Sequence, residues 1–196
     1  VPSLLCGLVA WKWFASSVGA GAVAIASNSS LMRQVYLPKL IFPIIVVQIT
    51  TFRFAIVFFV LLSIMVIYGM GVTFSWFAMF PILVVQLLLI VAVASMAAAI
   101  VPFFPDLKLI IDNALLLLFF LSGVFFRFSN LPEEIAAIMG LNPMAIIIES
   151  YREVLISGSW PDWVALGTIA LGSSLLLAAA AYIFARFDRV YPKLYS

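Results

Sequence analysis

Apolar residues in this chain come in long runs, broken by short stretches that hold nearly all of the charge. Five runs stand out, at about 3–26, 44–68, 76–100, 110–126 and 164–185. A helix needs roughly 20 apolar residues to cross a hydrocarbon core about 30 Å thick. Barrel strands instead alternate in character over about 10 residues, and these runs are too long and too uniformly apolar for that. The pattern predicts an all-α membrane protein with about five transmembrane helices in a single transmembrane domain over 1–196.

The gaps between the runs indicate sidedness. Segment 27–43 carries Arg33 and Lys39 without an acid, 69–75 carries no charge, and 101–109 holds Asp106 and Lys108. Segment 127–163 sets Arg127 and Arg152 against Glu133, Glu134, Glu149, Glu153 and Asp162, and the tail adds Arg186, Arg189 and Lys193 to Asp188. Alternate crossing puts 27–43, 101–109 and the tail on one side with six Lys/Arg, against two or three on the other. The positive-inside rule makes the richer side cytoplasmic, with the C-terminus on it. All five tryptophans (Trp11 and Trp13 around Lys12, then Trp76, Trp160 and Trp163) are expected at the outer headgroup level, which indoles prefer.

Four features stand out from the apolar background. Segment 27–43 opens with Ser27 and Asn28, which suit a helix cap. It continues with Leu31, Met32, Val35 and Tyr36 among the polar Arg33, Gln34 and Lys39, and ends at Pro38 and Pro43. It predicts a short amphipathic helix on the cytoplasmic surface, either a plain connector or a docking surface for a cytosolic partner. Segment 125–162 predicts two short helices at or dipping into the outer interface. One starts at Leu131-Pro132-Glu133-Glu134, with proline early and acids in the first turn. Asn142-Pro143 reads as a break, and a second helix follows over 146–156, with Glu149, Arg152 and Glu153 spaced for a helix-face ion pair.

Aromatic residues form the third feature. Phe119, Phe120, Phe125, Phe126 and Phe128 crowd the outer end of the fourth run, and Phe74, Trp76, Phe77 and Phe80 the start of the third. They read either as interfacial packing or as a lining on which sugar rings slide. Phe119, Ser122, Gly123 and Phe126 fall on one helical side. The fourth feature is Arg53, inside the second run near Gln48, Thr50 and Thr51. A charge at mid-bilayer costs about 2.5–3.5 kcal/mol on insertion scales. Arg53 is therefore expected to pair, to snorkel or to line a translocation path.

Composition narrows the chemistry. Apolar residues make up 66% of the chain and charged residues 9%, where a globular domain carries about 25% charge. With no histidine and one cysteine, Cys6, His/Cys metal sites and Ser-His-Asp or Cys-His catalysis are excluded within the sequence. No Gly-rich phosphate loop is present. No catalytic residue, metal site or resident cofactor is expected, and no nucleic-acid partner. The first residues, from Val1, are already apolar. Five spans and a cytoplasmic C-terminus place them outside, so a cytoplasmic natural N-terminus implies a further span ahead of them.

The order of these features resembles the ABC-type polysaccharide export permeases, the membrane subunits that export O-antigen, teichoic acid and capsule. Asn28-x-x-Leu31-x-x-x-Val35-x-x-Pro38-x-x-x-x-Pro43 is similar to their cytoplasmic segment, and Phe104-Pro105-Asp106-Leu107 to their "F-R-D-L" turn. Leu131-Pro132, then Leu141-Asn142-Pro143-Met144, then Arg152, looks like their outer stretch, and Phe187-Asp188-Arg189 with Tyr191-Pro192 fits their tail. Pro105 stands where arginine is usual, and Ser122-Gly123 where Ser-Pro is frequent.

The resemblance implies six spans in the family, of which the first and a preceding N-terminal helix are missing here. It also implies a homodimer around a channel, in the inner or plasma membrane. Two cytosolic ABC ATPase subunits, which hold ATP and Mg, would dock on a coupling helix made of Asn28, Leu31, Met32, Arg33, Val35, Tyr36, Pro38 and Lys39. The cargo implied is a lipid-linked polysaccharide such as that of lipopolysaccharide. Arg53, Phe119, Ser122, Gly123 and Phe126 are candidates for its path through the membrane lipids, and Pro132, Asn142, Pro143, Glu149 and Arg152 belong to the outer helices. Two other readings stay open: an ABC permease for a drug or a lipid, and a membrane enzyme acting on lipid-linked sugars.

Overall fold

The computed structural model describes residues 2–34, 37–71, 73–125, 140–188 and 190–191, and every regular element among them is helical. In chain order they are α1 (Pro2–Ala22), α2 (Ala24–Ser27), α3 (Ser29–Gln34), α4 (Ile41–Ile67), α5 (Met79–Ile100), α6 (Leu107–Leu121), α7 (Pro143–Arg152) and α8 (Trp163–Phe187). A 3₁₀ turn at Phe74–Ala78 leads into α5, and a π-helical turn at Glu153–Ser157 continues α7. α1, α4, the stretch Phe74–Ile100 and α8 are each long and apolar enough to cross a membrane. This is the all-α membrane architecture that the hydropathy pattern predicts.

α5 is the centre of the bundle, packed against α1, α4, α7 and α8. Its sequence explains why. Ala92, Ala94, Ser95, Ala97, Ala98 and Ala99 are all buried, and small side chains let helix backbones approach closely where no hydrophobic effect drives helices together. The tightest approach is at Gly21 of α1, where a β-carbon would lie 2.7 Å from the Ala94 Cβ. α8 is capped by Asp162, whose Oδ1 accepts from the Val164 and Ala165 N–H groups at 2.9 and 3.1 Å. An outward face of α4, including Phe52, Ile56, Phe59 and Val60, is exposed and apolar, as suits a face turned to lipid.

The gaps sort onto two ends as the alternation predicts. At one end Ala24, Ile25, Phe42, Ala98, Ala99, Phe184 and Tyr191 form a single cluster, and the Tyr191 hydroxyl donates to the Ala99 carbonyl at 2.9 Å. The loop after α1, the start of α4, the end of α5 and the end of α8 therefore share one end. At the other, Phe74 packs on Trp160 and the Ser75 hydroxyl donates to the Val154 carbonyl at 3.5 Å.

Two expectations change. The fourth apolar run, read as 110–126, forms the 15-residue α6, which starts earlier and stops at Leu121. Ser122 ends the helix and Gly123 follows in the left-handed region at φ 67°, the glycine stop that α-helices favour because it lacks a β-carbon. At 1.5 Å per residue α6 extends about 22 Å, short of a full hydrocarbon core. The tryptophans also divide. Trp160 and Trp163 are exposed beside one another at the end expected to be external, and Trp76 is half-buried near them. Trp11 and Trp13 sit in the middle of α1 and are core residues, 6% and 4% exposed. Trp13 stacks on Phe54 with centroids 4.0 Å apart, and its indole N–H donates to Thr51 Oγ1 at 3.3 Å. Paired with a ring and a hydroxyl from α4, an indole has no need of the headgroup level.

Candidate translocation site

Of the segment expected at the outer interface, residues 141–144 enter the bundle. Asn142 Nδ2 donates to Ser122 Oγ at 2.8 Å, and its Oδ1 accepts from the Met144 N–H at 3.0 Å. Asn142-Pro143 is thus a helix start rather than a break: asparagine caps and proline takes the first helical position, where no N–H is needed. Leu141, Asn142, Pro143 and Met144 line a cavity of about 450 Å³ together with Trp11 and Phe14 of α1, Leu89 and Val93 of α5, and Leu118 and Leu121 of α6. The partners on α1 and α5 lie in the middle of those helices, and Leu118 and Leu121 form the last turn of the short α6, so α7 begins part-way along the bundle. It then runs toward the end where Val154 meets Ser75.

Buried polar bonds hold this re-entrant helix in place. The Tyr151 hydroxyl donates to Gln86 Oε1 at 2.6 Å, and Gln86 Nε2 donates to the Ala10 carbonyl at 2.9 Å. The relay joins α7, α5 and α1 at a depth with no water to satisfy an unpaired amide. Arg152, 2% exposed, donates from Nε to the Ser3 carbonyl at 3.2 Å and from Nη2 to the Val124 carbonyl at 2.9 Å. Its Nη1 meets Glu149 Oε2 at 3.2 Å, the ion pair that the spacing predicts. Arg152 therefore ties the start of α1, the chain after α6 and α7 together. Glu153, one residue on, has its carboxyl pushed above the ordinary range by burial first, then by the negative charges of Glu149 and Asp162.

The aromatic candidates are partly engaged within the bundle. Phe119 packs on Trp11 at 5.9 Å and on Phe125 at 5.2 Å. Phe120 faces outward, 55% exposed, and stacks with Phe125. Ser122 is buried, donating to the Leu118 carbonyl at 2.6 Å. Phe126 and Pro132, with the helix expected from 131, lie outside the described residues.

At the opposite end, the expected coupling segment is two short helices. Asn28 closes α2 rather than opening a longer helix, its Nδ2 donating to the Ala24 carbonyl at 2.8 Å. Leu31 is 47% exposed. Met32 and Arg33 belong to α3, Val35 and Tyr36 lie outside the described residues, and Pro38 is exposed. Lys39 is turned inward, 3% exposed, donating to the Leu37 carbonyl at 3.0 Å and standing 3.6 Å from Asp188 after α8. It anchors the segment to the tail.

Residues 1–156 match the family described as ABC-2 type transporter. The chain belongs to that family. It is a membrane permease, the transport component rather than an enzyme, it passes the membrane several times, and a permease of this kind works with an ATPase subunit. It is 34% identical over 184 residues to the O-antigen export system permease protein RfbA of Myxococcus xanthus, covering 92% of this chain and 70% of that one. Two proteins of the same description from Klebsiella pneumoniae are 26% and 25% identical, over 79% and 80% of this chain. The permease spans 60% and 61% of their lengths.

Gln86 and Tyr151 carry much of this geometry and were not among the residues expected to act. Gln86 left a signal, being the one amide in a 22-residue helix whose only other polar side chain is Ser95. Tyr151 left none, because nothing in the local pattern shows which ring of a short helix turns inward.

Proposed function

We propose that this permease moves a lipid-linked polysaccharide of the O-antigen type outward across the inner or plasma membrane, as a homodimer driven by two cytosolic ATPase subunits. One observation carries the reading: 34% identity over 92% of the chain to an O-antigen export permease. The bundle supports it with an apolar cavity between α1, α5, α6 and the deep start of α7, at a depth that a lipid-linked cargo traverses. The ATPase docks at the end formed by α2, α3 and the tail, where Leu31 offers an apolar side chain and Lys39 fixes the platform. The richer Lys/Arg content of that end makes it cytoplasmic.

Co-purification with a candidate ABC ATPase subunit, followed by an ATPase assay, tests the proposal. Lipid-linked glycan should raise turnover several-fold over empty vesicles. Stimulation by lipophilic drugs or by phospholipid alone, with none by glycan, would transfer the permease to a different cargo class.

A further inference from the structure

The groove between α1 and α4 is lined by two cationic side chains, Lys12 and Arg53, both exposed and both half-way along their helices. Lys12 has ten residues of α1 on either side, and Arg53 has twelve residues of α4 before it and fourteen after. At 1.5 Å per residue each lies about 15 Å or more from either end of its helix. Both line one groove of about 390 Å³, floored by Trp13 and Phe54 and edged by Ser16 and Thr50. The two hydroxyls are occupied: Ser16 donates to the Trp13 carbonyl at 3.2 Å, and Thr50 donates to the Val47 carbonyl at 2.8 Å while bonded to Ser17 at 2.6 Å. The remaining donors are the ammonium of Lys12 and the guanidinium of Arg53. Among the described residues neither makes an ion pair, and the acids that line α1 are elsewhere: Asp112, near Gly19, pairs with Lys108.

Two like charges facing one low-dielectric groove repel each other and lack the hydration that ends of spans supply. An anion between them removes both penalties, and the charge-assisted bonds it accepts are the strong kind. Phosphate is the anion that guanidinium and ammonium groups together recognise. Bilayer lipids keep their phosphates at the headgroup level, not at mid-depth, so a phosphate here belongs to a molecule in transit. We infer that Lys12 and Arg53 form a transient binding site for the phosphate or diphosphate ester of a lipid-linked cargo as it crosses the membrane. This rests on the export reading above and adds the group that the site holds. The Trp13–Phe54 stack gives the first carbons of the lipid an apolar floor.

The test is equilibrium binding of radiolabelled farnesyl diphosphate to the permease–ATPase complex in phosphatidylcholine nanodiscs, without ATP or glycan. The wild type should bind it about tenfold or more tightly than farnesol, the equivalent of one charge-assisted bond or more. Inorganic pyrophosphate should compete. Lys12→Gln with Arg53→Gln should lose that preference, while Lys12→Arg with Arg53→Lys retains it; the second variant shows that loss reflects charge and not misfolding. Equal binding by the neutral variant, equal binding of farnesol, or displacement by phosphatidylglycerol at matched mole fraction would each overturn the inference, the last by assigning the groove to bilayer headgroups. Because this assay reads binding and not transport, its failure sinks this site alone, whereas failure of lipid-linked glycan to stimulate ATP turnover sinks the export reading alone.

Discussion

At the scale of single residues, the large polar side chains at depth in this bundle are paired, while the buried hydroxyls of Ser95 and Ser173 have no hydrogen-bond partner among the described residues. Gln86 makes two bonds, to Tyr151 and to the Ala10 carbonyl. Gln86→Leu strands the Tyr151 hydroxyl and should lower stability by about 1–3 kcal/mol, the cost of an orphaned buried group. Tyr151→Phe made on top of it should restore part of that loss, because the orphan is then gone. Thermal unfolding of the four proteins in one detergent closes the cycle, and strictly additive losses would show that the relay is not coupled. Arg53 and Arg152 show that the same residue type is used in two ways. Arg152 is enclosed by two carbonyls and a carboxylate, whereas Arg53 faces a groove with no acid among its lining residues.

At the scale of elements, close approach and helix termini decide the packing. Gly21→Ala places a methyl 2.7 Å from the Ala94 Cβ, which real β-carbons do not tolerate. It should cost about 1–3 kcal/mol by forcing α1 from α5. Ala94→Gly should rescue it, and Gly19→Ala, with only Asp112 Oδ1 at 4.0 Å, should be near neutral. Equal melting temperatures for Gly19→Ala and Gly21→Ala would contradict the assigned crossing. What the sequence made legible follows from the same physics. The long spans declare themselves because hydropathy accumulates over 20 residues, and the Glu149–Arg152 pair because i, i+3 geometry is local. The inward turn of Trp11 and Trp13 was not legible, since a partner such as Phe54 is distant in sequence. Nor was the depth of α7. Asn142-Pro143 is predicted as a break; the bond from the Met144 N–H makes it a cap, and the bond to Ser122, 20 residues earlier, ties it to the end of α6. Lys39 is predicted to face a docking partner, but it stands instead against Asp188, far along the chain.

At the scale of the whole molecule, the bundle joins a platform of short helices at one end to a re-entrant helix that starts part-way along it and runs toward the other. α1 contacts both α2 and α7, so under the proposed docking α1 is the element that would carry a push at the platform to the cavity. Leu31→Glu should therefore uncouple the permease. Export should fall several-fold and ATPase co-purification weaken, with the melting temperature unchanged because Leu31 is exposed. Full export by this variant would remove Leu31 from the docking surface. The central claim is outward movement of a lipid-linked polysaccharide, and ATP-driven uptake of that glycan into inside-out vesicles holding the permease and its ATPase measures it most directly. Glycan should become protected from an external glycosidase only when ATP is present and hydrolysable. Protection that is equal with and without ATP, or no protection while the same vesicles hydrolyse ATP, would contradict it.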